Sequence, residues 1–148
     1  MCNVLLVEDN PVDSFLFEEY LRSAAPATYT ISTTDYLEKA WYLSQVISPE
    51  VVVIDLSLPD AGGEQTLKLA VQYFKNKPIV ILTEWDDLAI AKKAAAEGIE
   101  YFLVKSEING SLLNRSIQCA IERHQTAKQH SSHRPASLQR DRRPARWV

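Results

Sequence analysis

Short apolar runs alternate five times with helix-length amphipathic stretches, and this alternation limits the possible folds more than any other feature of the chain. Asn3–Val7, Tyr29–Ser32, Val51–Asp55, Pro78–Thr83 and Tyr101–Val104 read as strands. The first, third and fourth are apolar almost throughout, as expected of strands covered on both faces. A βα unit repeated five times implies an α/β fold with a parallel sheet, helices on both faces and right-handed crossovers. Two strand orders are common for such open sheets, and in both the ligand site lies at the carboxyl ends of the strands.

The helical stretches carry start and stop signals. In the first, Asn10 suits the N-cap, Pro11 the first helical position and Asp13 the positive helix end. Its apolar residues Val12, Phe15, Leu16 and Tyr20 fall on one face. The second opens at Asp35 and turns Leu37, Ala40, Leu43 and Ile47 inward. The third follows Gly62-Gly63 and uses Leu67, Ala70, Val71 and Phe74. The fourth runs from about Asp86 to Gly98, a C-cap glycine, and its Ala-rich face is shallow. The fifth runs from about Glu107 to Arg123, with Leu113, Ile117, Ala120 and Ile121 on one side.

At 148 residues, the chain has room for one domain of about residues 1–125 and a tail of residues 126–148. The tail is polar, basic and Pro-interrupted, a composition that favours disorder. Of the 16 basic and 19 acidic residues, six basic and one acidic lie beyond Arg123, so the body carries −8 and the tail +5. An acidic body argues against direct nucleic-acid binding, and the tail is read as solvated. No apolar run approaches the ~18 residues of a membrane span. Nor does a signal-peptide pattern precede the first strand. Cys2 and Cys119 build neither a disulfide framework nor a metal-ligand spacing, so a reduced cytoplasm is the expected compartment.

The strand ends should hold the chemistry. Glu8 and Asp9 follow the first strand, Asp55 ends the third, Thr83 the fourth, and Lys105 follows the fifth. Clustered carboxylates cannot all stay ionised without help. A hard cation such as Mg²⁺ resolves this and binds phosphate oxygens as well. Lys105 and Thr83 would complement it as a point charge and a hydrogen-bond donor. Such a set suits a phosphoryl group, with Asp55 as the candidate nucleophile. The acidic first turn would repel a nucleotide or flavin phosphate, and no Walker, Gly-x-Gly-x-x-Gly or Gly-x-Ser-x-Gly sequence is present. His124, His130 and His133 lie at or beyond the last helix, away from the crevice.

Four stretches in order now resemble the receiver domain of two-component response regulators: Val4-Leu-Leu-Val-Glu-Asp-Asn-Pro; Val52-Val-Ile-Asp-Leu-Ser-Leu-Pro-Asp with Gly63; Pro78-Ile-Val-Ile-Leu-Thr; and Gly98-Ile-Glu-Tyr-Phe-Leu-Val-Lys. The resemblance covers roughly Asn3 to Arg123 and implies a flavodoxin-like sheet of order 2-1-3-4-5. It implies that Glu8, Asp9 and Asp55 hold Mg²⁺, together with the backbone carbonyl of Ser57. It makes Asp55 the aspartate phosphorylated by a histidine kinase or histidine phosphotransfer protein. Thr83 and Lys105 would bind the phosphoryl oxygens, and Tyr101 would be the switch aromatic that follows Thr83. Readout would be by a target protein or a self-dimer through the face of the fourth helix, fifth strand and fifth helix, or by a relay to another histidine. Self-dephosphorylation would be slow at most, and the shallow fourth helix suits an element that moves at low cost.

Two residues depart from the family pattern: Glu84 stands where a small residue usually follows the threonine, and Ser106 where proline usually follows the lysine. Two rival readings stand beside the switch. One is a phosphorylation-independent binding module with Glu84 blocking the site. The other is a phosphatase-like hydrolase, which would need an Asp-x-Asp pair, whereas Leu56 and Ser57 follow Asp55. The length left after the last helix is expected to hold no output domain, which makes a single-domain regulator the expectation.

Overall fold

The computed structural model describes residues 1–56, 63–84, 87–99 and 101–133. Strands β1 (Cys2–Val7), β2 (Tyr29–Thr34), β3 (Val51–Asp55), β4 (Ile79–Thr83) and β5 (Tyr101–Val104) alternate with helices α1 (Pro11–Ala24), α2 (Leu37–Ile47), α3 (Gly63–Tyr73), α4 (Leu88–Ala96) and α5 (Gly110–His133). The sheet is parallel throughout, in the order β2-β1-β3-β4-β5. This is the flavodoxin-like arrangement, and it puts β3 in the middle, between β1 and β4.

The sheet divides the core in two because successive side chains point to opposite faces. Leu5, Val7, Val52, Ile54 and Ile81 pack with Leu37, Leu67, Ala70 and Ala94 on the side of α2, α3 and α4. Val4, Leu6, Val51, Val53, Val80 and Leu82 pack with Phe17, Leu21, Leu113 and Ile117 on the side of α1 and α5. Every residue of β3 is buried. That explains its unbroken apolar run and places its terminal carboxylate at the centre of the crevice.

Several boundaries differ from the sequence reading. β2 runs two residues further, through Thr33 and Thr34, because these pair with Leu6 and Val7 of β1. Pro78 has no N–H to offer β4, and its carbonyl accepts from the Val52 amide at 3.0 Å. α4 begins later, at Leu88, where the Asp87 carboxylate accepts from the Ala89 and Ile90 amides. Gly98, at φ +91°, ends it as expected, in a conformation that suits glycine. α5 begins at Gly110, after Asn109 accepts from the Leu112 amide at 2.8 Å. It continues beyond Arg123 to His133. Its apolar stripe ends near Ile121, but helix-forming Glu122, Arg123 and Gln125 follow. The expected tail thus opens on helical backbone. Residues 134–148, which hold most of its positive charge, lie outside the described residues, as do Trp85 and Asp86.

The clearest correction concerns α1. Val12, Phe15 and Leu16 are exposed, and the buried residues are Phe17 and Leu21. The helix is rolled so that positions 13, 17 and 21 form the inner stripe, since residues four apart share a face. This roll turns Asp13 toward the crevice.

Candidate functional site

The parallel sheet gathers the carboxyl ends of β1, β3, β4 and β5 at one edge. Glu8 follows β1, and its amide donates to Thr34 of β2 at 2.9 Å. That bond carries the strand pairing one residue past β1 and fixes where the Glu8 side chain enters. Asp55 ends β3 and is only 1% exposed. Thr83 ends β4, also buried, one residue beyond Leu82, which pairs with Asp55. Lys105 opens a 3-10 turn over Lys105–Glu107 after β5.

Lys105 is the hub. Its Nζ lies 2.7 Å from Asp13 Oδ2, 2.8 Å from Glu8 Oε1 and 3.3 Å from Asp55 Oδ2. Carboxylate oxygens of Glu8, Asp9 and Asp55 all lie within 4.8 Å of one another. Asp9 is the exposed member of that trio. Three hard oxygen donors so close fit a hard divalent cation and no soft one.

The electrostatics follow from this crowding. Burial, seconded by the hydrogen bond and charge of Asp55, pushes the Glu8 carboxyl up from its ordinary 4.5 to about 7, against the opposing pull of Lys105. For Lys105, burial alone would lower the ammonium. Its bonds to Asp13 and Glu8, with the charge of Asp55, outweigh that and raise it above its ordinary value. Lys105 therefore stays charged, while Glu8 holds a proton up to about neutral pH.

Of the residues expected from sequence, the structure brings together Glu8, Asp9, Asp55 and Lys105 and places Thr83 on the adjoining strand end. Ser57 lies outside the described residues. Glu84 is exposed. The Lys105–Ser106 peptide is trans. By strand alternation Tyr101 falls on the opposite face of the sheet from Thr83, not on the same side as expected. It packs with the α1 and α5 side of the core, under the Arg123 guanidinium 5.8 Å from its ring centroid. The aromatic that shares a face with Ile81, and hence by alternation with Thr83, is Phe102. Counting alternation back from Thr83 and its pairing partner Val104 is the signal that identifies it. Asp13 was also missed as a site residue. Its sequence signal is the i, i+4 spacing to Phe17 and Leu21.

A family model described as the response regulator receiver domain matches residues 4–117. Among curated relatives, the cell cycle transcriptional regulator CtrA of Caulobacter vibrioides is 28% identical over 102 residues, covering 69% of this chain and 43% of its own length. The transcriptional regulatory protein BaeR of Escherichia coli is 36% identical over 80 residues, 54% of this chain and 32% of its own. The chain thus spans less than half the length of either relative. Among solved structures, the signal receiver domain of a protein described as a Luxo repressor, from Vibrio parahaemolyticus, aligns with a TM-score of 0.73 at 27% identity, over 86% of this chain and 95% of that one. The beryllofluoride-activated NtrC4 receiver domain dimer aligns at 0.71 with 22% identity, over 84% and 99%, a likeness of fold. With the order of its sheet and the match over residues 4–117, this chain belongs to the receiver domain family of two-component response regulators.

Proposed function

We propose that the chain is a phosphorylation-dependent signalling switch in which Asp55 accepts a phosphoryl group from a histidine kinase or histidine phosphotransfer protein. The observation that carries this reading is the position of Asp55, which ends the central strand 3.3 Å from the Lys105 ammonium and within 4.8 Å of the Glu8 and Asp9 oxygens. The donor set fits Mg²⁺, which Glu8, Asp9 and Asp55 would hold, with the Ser57 carbonyl as a further ligand by family resemblance. Bound there, Mg²⁺ supplies positive charge to carboxylate and phosphate oxygens alike.

An Asp55 carboxylate oxygen would attack the phosphorus of the phosphohistidine. The new O–P bond forms as the P–N bond breaks, and its electron pair returns to the imidazole. Lys105 and Thr83 would then turn to the phosphoryl oxygens, since the group brings nearly two negative charges. The movement would pass to α4, β5 and α5, the face read by a target protein or a second copy. On this reading the chain is a phosphoacceptor with slow self-dephosphorylation, and residues 126–148 are an appendage to a receiver of residues 1–125.

A second reading, a phosphorylation-independent binding module, is favoured by the 1% exposure of Asp55 under its lysine bridge. The two are separated by incubating the chain and Asp55→Asn with Mg²⁺ and acetyl phosphate, then measuring intact mass. The switch predicts one phosphoryl adduct on the native chain, absent from the variant. An unmodified native chain supports the binding module.

A further inference from the structure

Resting on the phosphoacceptor reading, we propose that Asp13 is a positioning residue that holds Lys105 on the α1 side of the crevice and competes with the phosphoryl group for it. Among the three described carboxylates around the Lys105 ammonium, Asp13 makes the shortest contact, 2.7 Å against 2.8 Å to Glu8 and 3.3 Å to Asp55. Asp13 accepts a hydrogen bond from the ammonium, whereas Asp55 faces it as an ion pair at 3.3 Å. Asp13 is absent from the described carboxylates that converge on one another, which are Glu8, Asp9 and Asp55. Its charge therefore serves the lysine and not the cation.

Its position is fixed from both sides. The Asp13 amide donates to the Asn10 side chain at 3.2 Å, within a capped first turn. Phe17, one turn on, is buried in the core below. The carboxylate cannot follow Lys105 far. When a phosphoryl group forms on Asp55, Lys105 must give it a donor, and the loosest of the three contacts already points there. Asp13 opposes the shift twice. It retains the ammonium by its short bond, and its negative charge repels the incoming dianion. Asp13 thus biases the chain toward the unphosphorylated state.

The test is the affinity for beryllofluoride in the presence of Mg²⁺, measured on the native chain, Asp13→Asn and Asp13→Glu. Urea denaturation of each variant checks that it folds. Asp13→Asn should bind about three- to tenfold tighter, the worth of one charge-assisted contact part-screened by solvent. With acetyl phosphate as donor, its phosphoryl adduct should also outlast the native one. Asp13→Glu, which keeps the charge, should stay near the native affinity. A merely structural contact would instead weaken binding when lost. Unchanged or weaker binding by Asp13→Asn, with the native chain still binding, overturns the proposal and leaves the phosphoacceptor reading standing. A native chain that binds no beryllofluoride overturns both.

Discussion

Glu8 makes the crevice a pH sensor in the absence of a divalent cation. Its carboxyl stands at about 7 in the folded chain against an ordinary 4.5. The folded chain therefore keeps a proton that the unfolded chain releases between those values. The stability this lends is fully present below 4.5 and is lost as pH rises through about 7. The displacement corresponds to about 3 kcal/mol at most, and nearer 2 kcal/mol once part-screening by solvent is allowed. Lys105 pulls the other way, but it remains charged throughout this window and its pull is already included in the net position. Glu8→Gln gives a neutral side chain of the same shape, a permanent stand-in for protonated Glu8. In urea denaturation with a chelator, the variant should match the native chain to about 0.5 kcal/mol near pH 5. Near pH 8 it should be the more stable by about 2 kcal/mol, or about 5 °C in Tm. Adding Mg²⁺ near pH 8 should narrow the gap, since the cation favours the ionised carboxylate that only the native chain has. An equal difference at both pH values, or a native chain the more stable at the higher one, refutes the reasoning.

Two further predictions concern the scaffold. Asn10→Ala removes the acceptor for the Val12 and Asp13 amides, at 2.9 and 3.2 Å, and should cost about 1 kcal/mol, read as a lower urea midpoint at unchanged slope. A Cβ added at Gly110 would meet the Tyr20 carbonyl oxygen at 2.6 Å and the Ala24 Cβ at 3.1 Å, so Gly110→Ala must push α5 off α1. It should destabilise the chain by about 1–3 kcal/mol in thermal denaturation.

Why some of this was legible in the sequence and some was not has a physical basis. A strand buried on both faces must be apolar at every position, so β1, β3 and β4 stand out as runs. Edge strand β2 is half-exposed, and its last residues, Thr33 and Thr34, carry no apolar mark, so its end is set by pairing with β1. The crevice residues were legible because a parallel sheet maps the end of each strand to one edge, whatever the strand order. Helix α1 misled because its N-terminal half exposes Val12, Phe15 and Leu16, a stripe that competes with Phe17 and Leu21 for the inner face. Tyr101 misled because Tyr101 and Phe102 are adjacent aromatics, and only the pairing of Ile81 with Phe102 decides which of them lies on the side of Thr83.

Asp13 was hidden by an explanation that sufficed without it. An acid in the first turn of a helix is favoured by the helix dipole wherever it points, so nothing in its position demanded a partner. Burial supplies the demand. Lys105 has a side chain only 15% exposed, and so little exposure must be offset by nearby anions. Asp55 is the most distant of the three carboxylates around the ammonium. Asp13, outside the converging set, is the nearest of the described carboxylates to the ammonium. A receiver that leaned on Asp55 alone to hold its lysine would have to surrender that pairing when Asp55 became occupied. On the phosphoacceptor reading, Asp13 would give the lysine an anchor that phosphorylation does not consume, and the transition at the crevice would be a transfer of Lys105 between two anions.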